Sequence, residues 1–144
     1  MKTIMCCLAL LVALTVFTSA AFAQEPTLSS VEAKFDTTKD GKNDDSKLDV
    51  YLKNGDGQEV GKSEGNEGHW DKKSSHTASI KIEGNPTKAA LANGCVLLTF
   101  QPHGADNWKF NYQVTLSFSD GSFIIKELEV CELTQYNTTR TDSF

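Results

Sequence analysis

The chain has 144 residues, with 14 basic against 19 acidic side chains and a formal charge of −5 at pH 7. An acidic chain lacks the basic face that nucleic acid requires, and charge alone does not draw it to an anionic membrane. Its length fits one domain with a modest core.

Residues 1–23 read MKTIMCCLALLVALTVFTSAAFA. Lys2 gives a positive start, an apolar run follows from Ile4 to Phe17, and Ala21-Phe22-Ala23 forms an A-x-A site. This is the pattern of a secretory signal peptide cleaved before Gln24. The apolar run falls short of the roughly 20 residues of a membrane span. The expected mature domain is 24–144, with 13 basic and 19 acidic residues and a charge of −6. Its expected location is secreted, extracellular or periplasmic. Cleavage removes Cys6 and Cys7 and leaves Cys95 and Cys131. An even pair in an exported chain suggests one disulfide; the alternative is two buried free thiols.

From Ser29 onward, period-two alternation dominates. SSVEAKFDT puts Val31, Ala33 and Phe35 on one face, and SKLDVYLK does the same for Leu48, Val50 and Leu52. Asn54-Gly55 and Asp56-Gly57 are hairpin dipeptides, and GQEVGKS reads as a short edge strand. GKSEGNEGHWDKKSSH reads as a long mobile loop. HTASIKIEG aligns Ala78, Ile80 and Ile82; NPTKAALAN reads as a turn of helix stopped by Gly94; CVLLTFQ fits a central strand. WKFNYQVTLSF is the clearest strand, with Trp108, Phe110, Tyr112, Val114, Leu116 and Phe118 facing one way. SDGS then turns into FIIKELEV, and the polar tail TQYNTTRTDSF is expected to fray. The pattern predicts an all-β chain, a two-sheet antiparallel β-sandwich of about seven to eight strands.

Between the first two strands lies DTTKDGKNDDS, Asp36 to Ser46, with four aspartates in eleven residues. Asp36, Asp40, Asn43, Asp44 and Asp45 are oxygen donors of the kind calcium takes, and Gly41 permits a tight turn. The spacing is not that of an EF-hand. The loop therefore reads either as a calcium site or as a solvated connection whose aspartates cap turns. It lacks the His and Cys ligands that zinc favours. His69, His76 and His103 have no metal-ligand spacing. Gly61-Lys62-Ser63-Glu64-Gly65 matches the letters of G-x-S-x-G, but no helical pattern follows it as a nucleophile elbow requires, and H-E-x-x-H does not occur, so no enzymatic activity is expected. Trp70, in EGHWDKK, reads either as an exposed contact for a ligand or as a pin holding its loop. Asn137-Thr138-Thr139 is a glycosylation sequon, relevant in a eukaryotic host.

Two segments resemble PLAT domains, the β-sandwich modules of lipoxygenases and some lipases. DDSKLDVYL places Asp45 three residues before Leu48, as in the family's early strand. HGADNWKFNYQVTL places the polar turn Asp106-Asn107 before Trp108, as in its late strand. The likeness spans Val31 to Phe118. It departs at Asn111, where the family has aspartate, and at Val114 and Leu116, which lie at even rather than odd offsets from the tryptophan. The resemblance implies a non-enzymatic module that binds a membrane surface or a protein partner, with calcium assisting in some members. It also implies that Asp106 and Asn107 join Asp40, Asn43, Asp44 and Asp45 at one end of the fold. A carbohydrate-binding module of similar architecture is the alternative, with Trp70 and Tyr51 as stacking faces.

Overall fold

The computed structural model describes residues 24–144; the segment read as a signal peptide lies outside the described residues. Nine strands follow in order: β1 (Leu28–Thr37), β2 (Lys47–Lys53), β3 (Glu59–Asn66), β4 (Ser75–Ser79), β5 (Lys81–Ile82), β6 (Cys95–Gln101), β7 (Asn107–Phe118), β8 (Phe123–Thr134) and β9 (Thr139–Ser143). One helical turn, α1 (Lys88–Leu91), precedes β6 and is capped by the Thr87 hydroxyl. The strands form two antiparallel sheets, β4-β1-β7-β8 and β5-β3-β2-β6-β9.

Alternation selects the buried faces. Along β7 every even-numbered residue from Trp108 to Phe118 is buried. These side chains share one cluster with Val31, Ala33 and Phe35 of β1, and with Leu48, Val50, Leu52, Val96, Leu98 and Phe100 of the other sheet. At about 1.5–3 kcal/mol per buried aliphatic or aromatic side chain, this core outweighs exposed ion pairs worth at most ~1 kcal/mol each.

Several expectations change. HTASIKIEG is one strand by pattern, but Ile80 divides it. β4 pairs with β1 in one sheet and β5 pairs with β3 in the other. The chain thus changes sheets at Ile80 without losing its inward parity. The tail does not fray: β9 pairs with β6, and the Tyr112 hydroxyl donates to the Asp142 carboxylate. Arg140 grips the same carboxylate through Nε at 2.7 Å and a second nitrogen at 3.0 Å. Burial, then Asp142, pushes the Tyr112 hydroxyl well above its ordinary value. Asp49 alternates away from Leu48, Val50 and Leu52, yet it is buried and accepts from the Gly65 N–H at 2.7 Å and the Gln101 amide at 2.8 Å.

The expected Cys95–Cys131 disulfide is corrected, since both thiols are free. Val96, Leu98 and Phe100 face the core from β6, so the pleat turns Cys95 to the opposite face. Cys131 points inward from β8, in the other sheet.

The β7–β8 ladder shifts register at Asn111, while the alternation along β7 itself is unbroken. Phe110 opposes Cys131, but Tyr112 opposes Leu128. Asn111 therefore faces two residues, Glu129 and Val130, and the bulge belongs to β8. Val130 adopts φ +55°, and its N–H is held by Asn111 Oδ1 at 2.9 Å.

Candidate functional site: the junction of three loops

The acidic loop and the turn before Trp108 meet. Asp106 is buried, and its Oδ2 accepts from the Asn43 N–H at 3.0 Å and the Ser46 hydroxyl at 2.6 Å. Ser46 Oγ in turn accepts from the His103 N–H at 2.9 Å. The backbone of β7 extends the junction. The Lys109 N–H donates to the Asp40 carbonyl at 3.1 Å, and the Thr38 N–H to the Lys109 carbonyl at 2.8 Å.

The third loop enters through Trp70. Trp70 and Lys42 exchange backbone hydrogen bonds at 3.0 and 3.1 Å. Gly41 permits that approach, because a Cβ there would stand 2.5 Å from the Trp70 carbonyl oxygen. Of the segment read as a mobile loop, 61–66 belong to β3 and 75–76 to β4, and the stretch between them is thereby pinned.

Trp70 is corrected as a ligand contact: it is only 6% exposed. Its indole stacks on His76 at 4.5 Å and meets Trp108 edge-on at 5.0 Å. A tryptophan among polar neighbours is buried here by rings from distant strands. That burial also removes one of the two stacking faces of the carbohydrate alternative. The other, Tyr51, is half-buried, with its hydroxyl 3.3 Å from Glu64.

The centre of the junction is Lys42, which sequence reading missed and which is fully buried. Its Nζ donates to the carbonyls of Gly68 at 2.6 Å, Ser46 at 2.7 Å and Asn43 at 3.3 Å. The ammonium also lies 5.0 Å from the centre of the Trp70 ring. Burial lowers its pKa, opposed chiefly by the Asp106 charge.

The remaining candidates do not converge. Asp40 pairs with Lys109 at 3.3 Å. Asp44 and Asp45 are exposed and face His69 at 3.8 Å and His103 at 3.7 Å. Asn107 is exposed at the start of β7, opposite Thr134. Among the described residues, no group of three or more His, Cys, Asp or Glu is arranged to hold a metal ion. Calcium needs six to eight oxygens around one point. Here three of the loop carbonyls already surround an ammonium, and Asp40, Asp44 and Asp45 lie beside three different side chains, Lys109, His69 and His103, so the residues present do not fit a resident calcium ion.

An open cleft of about 440 Å³ lies over the junction, lined by Gly41, Asn43, His69, Asp71 and Lys72. Beneath it, burial first and the Lys42 charge second hold the His76 imidazole below its ordinary 6.5. Below about pH 6.5 the unfolded chain then takes a proton more readily than the folded one. The His76 contribution is complete above that pH and is lost as the pH falls from there through the folded value. Between about pH 7.5 and pH 5.5 the melting temperature of the wild type should therefore fall further than that of His76→Phe. Equal losses in the two proteins would remove His76 as the source.

No family model matches the chain, and no curated protein matches it.

Proposed function

We propose that the chain is a secreted, non-enzymatic binding module, a PLAT-like β-sandwich that takes an extended segment of a protein partner along β8. One observation carries the reading. Among the described residues, the large exposed hydrophobics are Phe123, Ile125, Val130 and Tyr136, all on β8 or the turn after it. β8 is twelve residues long and pairs only with β7. Such an edge presents unpaired N–H and C=O groups along its length, and a peptide adds to it as a further strand.

The bulge at Glu129 and Val130 limits the regular stretch to Phe123–Leu128. Its outward side chains are Phe123, Ile125 and Glu127, followed by Glu129. The partner that suits them is an extended segment with apolar residues against Phe123 and Ile125 and basic residues against the two glutamates. The same acidic character disfavours an anionic membrane.

Random linear peptides displayed on phage and selected on the immobilised protein test this. Enriched peptides should alternate apolar and basic residues. Ile125→Lys should weaken them by roughly tenfold or more, a loss of about 1.4 kcal/mol, with the melting temperature unchanged. Glu127→Lys with Glu129→Lys should turn the selection toward acidic peptides. Peptides indifferent to Ile125→Lys and Phe123→Lys overturn the reading. So does cosedimentation with phosphatidylcholine–phosphatidylserine vesicles, or binding confined to a glycan array.

A further inference from the structure

The Lys42 ammonium offers three N–H donors and meets three carbonyls, at 2.6, 2.7 and 3.3 Å. Those carbonyls come from two separate loops, after β1 and after β3. A third loop supplies Asp106, whose carboxylate holds the backbone that presents two of them. The Trp70 ring closes another side at 5.0 Å. Carbonyl oxygens converging from different loops, a nearby carboxylate and an aromatic face make a cation site. Its occupant is part of the chain.

We propose that Lys42 is a tethered cation, doing for this three-loop junction what a bound metal would otherwise do. Deleting its side chain then converts the junction into a binding site for a small free cation, alkylammonium above all. A primary ammonium fits because it needs only three acceptors. Calcium does not, because it requires six or more oxygens, and Asp44 and Asp45 are exposed beside His69 and His103 and make no hydrogen bond to the Lys42 ammonium. The loops are consequently ordered without any metal, and chelators leave them ordered.

Chemical rescue tests the assignment. Lys42→Ala removes three carbons and the nitrogen, the heavy atoms of n-propylammonium. Lys42→Met keeps the apolar stem and removes only the charge and its donors. Both variants should melt at least about 5 °C below the wild type. Millimolar n-propylammonium chloride should raise the Lys42→Ala melting temperature, with little effect on the wild type or on Lys42→Met. Sodium chloride at equal ionic strength should not reproduce the rise. If Lys42→Ala does not fold, its refolding yield with and without the amine reads the same comparison.

The wild type supplies a second measurement. After brief acetylation with a water-soluble active ester, peptide mapping should find exposed Lys72 modified and Lys42 at least about tenfold less so, the ratio following the small population in which the loops are open. Three results overturn the proposal. Lys42→Met melting with the wild type means the charge is not needed. Rescue no larger than the effect of the amine on the wild type means there is no site. A wild-type melting temperature raised by calcium over EGTA means that the junction takes a metal beside the lysine.

Discussion

Trp108→Ala should lower the unfolding free energy by about 3–5 kcal/mol, measured by urea denaturation with an unchanged slope. The indole is fully buried. It stacks on Phe110 at 3.8 Å, lies 5.6 Å from Phe35, and reaches Phe100 of the opposite sheet at 6.2 Å. Truncation leaves a void bounded by both sheets, and neither can close it alone. Trp108→Phe keeps most of the ring contact but strands the Thr37 hydroxyl, which accepts the indole N–H at 3.1 Å. Its expected cost is about 1–2 kcal/mol. A loss below about 1 kcal/mol for Trp108→Ala would show that the void collapses at little cost, and the ring would lose its central role.

Asp106→Ala should cost about 3 kcal/mol, because it deletes the acceptor of one buried and one part-buried hydrogen bond and a neighbouring charge from Lys42. Asp106→Asn retains one acceptor oxygen, and its cost should be about half of that. Asp44→Ala and Asp45→Ala remove carboxylates that stand in water, and each should change stability by no more than about 0.5 kcal/mol. Thermal and urea unfolding of the four proteins checks the order. Asp45→Ala matching Asp106→Ala would refute the division between a buried organiser and solvated bystanders. Trp108→Ala and Asp106→Ala should also fail to add, because Trp108 supports Trp70 and Trp70 lies against the Lys42 cage.

The parts legible in the sequence were those governed by local periodicity. The inward faces of β1, β2 and β7 follow from Val31, Leu48 and Trp108 and their alternate neighbours, and the helical turn follows from NPTKAALAN. Alternation reports which side chains point inward, but not which sheet a strand joins. Ala78, Ile80 and Ile82 keep one parity while the chain passes from β4 to β5, so the division was invisible. β9 was missed for a related reason. Thr139–Ser143 has no apolar alternation of its own; β6 and the Tyr112 hydroxyl, both distant in sequence, order it.

The site was legible only in outline. Asp106 was expected beside Asp45; it lies instead on the Asn43 N–H and the Ser46 hydroxyl. Lys42 gave no signal, because a lysine in an acidic loop reads as a surface charge. Its burial depends on carbonyls whose positions arise from tertiary contacts. Trp70 stayed between two readings for the same reason: its polar neighbours in EGHWDKK say nothing of Trp108 and His76, which cover it and make it the pin rather than the contact.

The passage through Ile80 gives the molecule a spine. On that side a single residue joins the two sheets, so they cannot part there without pulling Ile80 from the core. On the other side the turn between them links β8 to β9, and the Tyr112–Asp142 contact ties β7 to β9. A separation of the sheets would therefore hinge at Ile80, where one residue joins them, and reach furthest along β8 and β9, where the connection is longer. The exposed apolar row of Phe123, Ile125 and Val130 lies on that freer margin, where a strand laid alongside would act as a clasp.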